Sequence, residues 1–157
     1  SDNIVDIGAA TARFKDLYLG GGAYLGGTAA ANHLDDYETG AFTMTMTGES
    51  TGSSLGHGEY VKIGNVCHFQ WYSGTRTINS VSTPILSGLP FTAASMYIAS
   101  AYATVSMSHN TYAPQASVGY INLGTNSIYF TANGSSAGAS TSVGSRYIMC
   151  GGTYVVA

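Results

Sequence analysis

The acidic side chains of this chain are Asp2, Asp6, Asp16, Asp35, Asp36, Glu38, Glu49 and Glu59, and none occurs from Tyr60 to Ala157. Hydrolytic chemistry uses carboxylates as acid, base, nucleophile, metal ligand or orienter of a histidine. Asp35, Asp36 and Glu38 lie close enough to suggest paired carboxylates or a calcium loop. The alternating oxygen ligands of an EF-hand are missing around them, and the cluster reads as a polar hinge. Glu49 and Glu59 flank a Gly/Ser loop; a glycosidase pair needs its carboxyls held roughly 5–9.5 Å apart around a sugar, which such a loop does not indicate. The histidines, His33, His57, His68 and His109, show neither H-x-H nor H-x-x-x-H spacing. No G-x-S-x-G elbow occurs, and a Ser/His/Asp triad would have to borrow its Asp from residues 1–36. The residues therefore predict no enzyme, no cofactor and no resident metal. The one arrangement that would gather an ion is a three-fold axis uniting three copies of His57 or His109.

Binding chemistry is better represented. Sugars are recognised by aromatic faces against ring C–H groups, and by amides, hydroxyls and guanidinium groups at the hydroxyls. Such groups collect in loop-like stretches at residues 74–80, 106–115 and 131–142. Arg76, His109, Asn110 and Tyr112 are the expected ligand-binding residues. The guanidinium fork of Arg76 suits an acidic sugar or phosphate. Trp71 tempts as a sugar platform, but it shares strand phase with Phe69 and is assigned to the core.

The overall balance excludes other partners. Residues 1–59 hold every acid together with Arg13 and Lys15, whereas residues 60–157 hold only Lys62, Arg76 and Arg146 as fixed charges. Three scattered cations cannot release phosphate counterions as a nucleic-acid surface must. The net charge of −3 gives no attraction to anionic lipid. No apolar run approaches the ~20 residues of a membrane helix, so no membrane insertion is expected. Cys67 and Cys150 fit no metal spacing and sit in apolar runs, as buried thiols do.

These residues must be positioned by strands, because helical periodicity is nearly absent. Short β-rich runs recur between Gly, Ser, Asn and Pro. Strands are predicted over residues 41–47, 58–63, 65–73, 84–87, 95–104, 117–123, 127–131, 146–150 and 153–156. Turns fall at Gly64-Asn65 and Gly151-Gly152, among others. Alternation places Met44 and Met46 on one face, and Cys67, Phe69 and Trp71 on one face opposite His68 and Gln70. The pattern is all-β and suggests an antiparallel sandwich or jelly roll over residues 41–157. Residues 1–40 differ. Their Gly-punctuated, half-apolar run, Asp16 to Gly27, pairs two short strands that cannot bury themselves alone.

The same stretch carries a resemblance. Asp6-Ile7-Gly8, then Ala12-Arg13-Phe14-Lys15-Asp16-Leu17-Tyr18-Leu19, resembles a recurrent segment of bacteriophage tail fibres. Gly26-Gly27-Thr28 and Asn32-His33-Leu34-Asp35-Asp36-Tyr37-Glu38 continue it. Tyr60-Val61-Lys62-Ile63-Gly64-Asn65-Val66 and Ser87-Gly88-Leu89-Pro90-Phe91 are similar to phrases of the distal head domains of such fibres, and Gly151-Gly152-Thr153-Tyr154 to their closing strand. Residues 92–146 match nothing in that pattern, which leaves the receptor open. The resemblance implies a homotrimer: an intertwined stem over residues 1–40, then a globular tip that touches the host. The implied role is attachment of the virion to a host bacterial receptor (lipopolysaccharide, capsule or an outer-membrane protein) without catalysis. Alternatives in the same architecture are a glycan-cleaving depolymerase, a purely structural cap, or the fibre of a pyocin-type particle.

Overall fold

Glycine and small residues dominate the start of the chain, and they bury very little. The computed structural model describes residues 6–34, 36–50, 56–95, 102–132, 135 and 138–157. It divides into two compact units, one ending at Asp35 and the other running from Asp36 to Ala157. In the first, β1 (Ala23–Tyr24) pairs antiparallel with β2 (His33–Leu34) around a single 3-10 turn at Ala30–Asn32. Asn32 Nδ2 donates to the Leu25 carbonyl at 3.1 Å, and the Tyr24 and His33 rings stack 4.5 Å apart. This ladder differs from the predicted pairing, because Leu17 and Leu19 lie in no strand. No residue of this unit whose burial is described is buried; Ile7, Phe14, Leu17, Tyr18, Leu19, Tyr24 and Leu25 are all exposed.

The second unit contains β3 (Tyr37–Phe42), β4 (Thr45–Met46), β5 (His57–Ile63), β6 (Val66–Tyr72), β7 (Arg76–Ile78), β8 (Ile85–Ser87), β9 (Ala103–Ser108), β10 (Val118–Ile121), β11 (Ser127–Thr131), β12 (Gly144–Arg146) and β13 (Met149–Val155). Nine of these form one antiparallel sheet in the order β3-β5-β6-β13-β9-β10-β11-β8-β4, while β7 and β12 pair separately. Strands β3 and β4 lie at opposite edges of that sheet, yet only Thr43 and Met44 separate them. So short a link spans no more than about 11 Å, so the sheet curls until its two edges approach. The predicted strand over 41–47 is thus divided at a corner, and Met44 and Met46 both enter the core as alternation required.

Alternation also sets the inner face. Cys67, Phe69 and Trp71 of β6 are buried, as are Val105 and Met107 of β9 and Ile128 and Phe130 of β11. Phe69 packs edge-on against Phe42 at 6.1 Å and Tyr154 at 6.0 Å. A fully buried Phe of this kind stabilises by about 1.5–3 kcal/mol relative to its exposed state. Tyr154 Oη donates to the Phe91 carbonyl and accepts from the Phe91 amide, each at 3.1 Å, which ties the 88–94 segment to the core. Cys67 stands opposite Tyr154 and Cys150 opposite Trp71 in the β6–β13 register. The two thiols are therefore roughly 13 Å apart along paired strands, too far for a disulfide.

Three expectations are corrected. The second unit does not begin at residue 41: Tyr37–Gly40 belong to β3, and Asp36 is held by an ion pair from Lys62 and by the Gly64 amide at 2.7 Å. Residues 74–80 are not all loop, since Arg76–Ile78 form β7. Gly151-Gly152 is not a turn: both glycines lie inside β13, opposite Gln70 and Phe69 on one side and Ser106 and Val105 on the other. Most of the strand predicted over 95–104 lies outside the described residues.

Candidate functional site

The four predicted ligand-binding residues separate into different environments. Arg76 is 2% exposed. Its Nε donates to the Ser73 carbonyl at 2.8 Å and its Nη1 to Glu49 Oε2 at 2.7 Å, so the fork is turned inward and engaged inside the protein. Tyr112 is fully buried, packs edge-on against Phe130, and donates its hydroxyl to the Thr47 carbonyl at 3.0 Å. Burial pushes the Tyr112 phenol above its ordinary value. Neither residue presents its side chain to a ligand, which corrects the sequence-based assignment. Asn110 braces its own loop: Nδ2 donates to the Ala113 and Ala116 carbonyls at 2.8 and 2.7 Å, and Oδ1 accepts from the Ala113 amide. Only His109 is open to solvent. It has φ 47°, a left-handed conformation that few non-glycine residues adopt. Its ring lies 4.1 Å from that of Tyr147 and stacks 6.1 Å from that of Tyr72. The predicted set is therefore not one site.

A groove lies instead on the outer face of the sheet, across β5, β6, β13 and β9. Its volume is 710 Å³, and its lining includes His57, Glu59, His68, Gln70, Tyr72, Ser106, Ser108 and Met149. A second trough of 530 Å³, lined by β3 and β5 residues, shares Glu59, His68 and Gln70 with it. The ladder explains the shape. Glu59 faces Gln70, Gln70 faces Gly151, and Gly151 faces Ser106, one rank across four strands. That rank spans about 14 Å at ordinary strand spacing. Gly151 contributes no side chain to it, so the middle of the rank is left hollow. A Cβ there would come 3.0 Å from the Phe69 carbonyl oxygen and 3.4 Å from Gln70 Cγ. The neighbouring rank runs His57, Tyr72, Met149, Ser108, with an aromatic ring and a thioether. His68 Nδ1 lies 3.0 Å from Thr153 Oγ1. The groove thus offers an amide, hydroxyls, imidazoles, one carboxylate and one tyrosine ring, the groups that meet a saccharide.

Charge is nearly absent from it. Glu59 is the single Asp or Glu in the lining of either groove, and neither lining contains Lys or Arg. Glu49, the other half of the glycosidase pair considered above, lines neither and is held by Arg76. Among the described residues, no three His, Cys, Asp or Glu side chains cluster as metal ligands. Cys150, under the groove, has its thiol pushed up to about 12 by burial, so it is not a nucleophile at neutral pH.

The groove residues carried weak sequence signals. Gly-Gly within a run that otherwise reads as strand marks either a turn or a close backbone approach, and here the second holds. Gln70 and His68 were visible as the outward partners of Phe69 and Trp71, but exposure on a strand does not by itself distinguish a ligand surface from a solvated one.

Compared with known proteins, the chain has no match among protein-family models, curated proteins or solved structures.

Proposed function

We propose that this chain is the distal part of a phage tail fibre, a homotrimer whose tip attaches the virion to the host bacterial surface by binding a glycan without cleaving it. In this reading residues 6–34 form a stem wound with two other copies, and the curled sheet is a jelly-roll-like sandwich. The observation that carries the attachment role is the outer-face groove. It is open and lined by hydrogen-bonding groups beside Tyr72, with Glu59 as its one fixed charge. A single carboxylate supports binding over hydrolysis, because retaining and inverting glycosidases both use two. The exposed leader side chains support assembly: apolar groups as exposed as Phe14, Leu17 and Tyr18 favour a covering surface, and copies of the same leader supply one. Three linked sites then give avidity to weak individual contacts.

The test is staining of host cells by the labelled protein, with purified host surface polysaccharide as competitor. Staining is expected, competition is expected to abolish it, and the competitor is expected to keep its chain length. Shortened chains would reassign the protein as a depolymerase. Unstained cells would favour a structural cap.

A further inference from the structure

We infer that the groove accepts glycans free of negative charge and excludes those bearing carboxylate, sulfate or phosphate; this rests on the attachment reading above. Every fixed charge of the second unit but one is paired or lies away from the groove. Lys62 is buried, pairs with Asp36, and lies 5.5 Å from the centre of the Phe91 ring. Arg76 is buried against Glu49. Arg146 donates to the Ser142 and Val143 carbonyls and lines neither groove. Glu38 accepts from the Tyr60 hydroxyl. From Asp36 onward the sequence holds no further Lys, Arg, Asp or Glu except Glu59. Glu59 is exposed, has no partner among the described residues, and stands at the meeting point of both troughs.

An anionic sugar entering the groove would meet that carboxylate with no Lys or Arg in the lining to offset it. A neutral sugar meets a well-matched set. A carboxylate accepts two hydroxyl donors at once, and the amide of Gln70 both donates and accepts. Ser106 adds a further hydroxyl across the Gly151 gap. An amine-bearing sugar is admitted for the same reason that an acidic one is rejected. The preference is the opposite of that expected had Arg76 been free.

The experiment is a microbial glycan array holding neutral, amine-bearing and acidic oligosaccharides, probed with the full chain. Four proteins are compared: wild type, Glu59→Lys, Ser106→Trp and Gln70→Ala. Wild-type binding is expected only among the neutral and amine-bearing members. Ser106→Trp fills the hollow and is expected to lower binding about tenfold or more with unchanged melting. Gln70→Ala reports on the same rank should the tryptophan variant misfold. Glu59→Lys is expected to gain acidic members. Wild-type binding to acidic glycans at equal or greater strength would overturn the charge selection and leave glycan attachment standing. Full binding by both groove variants would remove the groove as the site. No binding to any class would overturn the attachment reading itself.

Discussion

Arg76 and Glu49 form an internal ion pair, Nη1 to Oε2 at 2.7 Å, with side-chain exposures of 2% and 15%. The pair joins the turn after β4 to β7, a strand outside the main sheet. Removing one partner of a buried pair leaves the other charged and desolvated. Arg76→Ala is therefore expected to destabilise the second unit by about 3–5 kcal/mol. Urea unfolding at matched protein concentration measures this. A variant that binds less but unfolds at the wild-type midpoint would return Arg76 to the ligand site.

Tyr112 is expected to behave as a core residue with one internal hydrogen bond. Tyr112→Phe keeps the ring against Phe130 and loses only the bond to the Thr47 carbonyl, a cost of about 1 kcal/mol. Tyr112→Ala empties a fully buried site and is expected to cost about 3–5 kcal/mol. Thermal melts of the two variants distinguish this from a surface role, in which both would melt as the parent does.

Alkali should weaken the fold through the groups that burial keeps protonated. Burial raises the Cys150 thiol from 9.0 to about 12, so between those values the unfolded chain gives up a proton that the folded chain retains. Stability contributed by this thiol is complete below pH 9.0 and is lost as pH rises through about 12. The Tyr112 and Tyr154 phenols, also raised by burial, extend the loss above pH 10.0. Cys150→Ala is expected to flatten the decline of unfolding free energy in the lower part of this window. An unchanged slope in denaturant titrations across that range would contradict it.

The proposed trimer makes assembly depend on the exposed apolar side chains of the first unit. Leu17→Ser with Tyr18→Ser replaces two of its most exposed apolar side chains, and the expected result is a lower mass in analytical ultracentrifugation at micromolar concentration. Near-ultraviolet circular dichroism, dominated by the aromatic residues of the tip, is expected to stay the same. A three-copy mass in the double variant would place the assembly contacts elsewhere.

How much of this was legible depended on the range of the interaction. The alternation of Cys67, Phe69 and Trp71 against His68 and Gln70 is local, and it gave the buried face of β6 correctly. So did Met44 and Met46, although nothing local announced that a corner divides them. Tyr112 was misplaced because the run from Ser106 to Gln115 is polar and leaves strand geometry after Ser108. Burial there is decided by Phe130 and Thr47, which are distant in sequence. Arg76 misled for a similar reason, since its partner lies 27 residues away on a turn. The groove was hidden because it exists only once β13 has been placed between β6 and β9, which brings Gln70, Gly151 and Ser106 into one rank.

That placement also constrains how the protein can be made. Strand β13 follows β9 to β12 in the chain, yet it occupies the middle of the sheet. Until residues 149–155 leave the ribosome, β6 and β9 each present an open row of amides and carbonyls to any neighbour. Nascent copies close together on one messenger would be exposed to strand exchange throughout that interval. Closure of this sheet thus waits on β13, and pairing between partly made copies is the hazard this strand order creates.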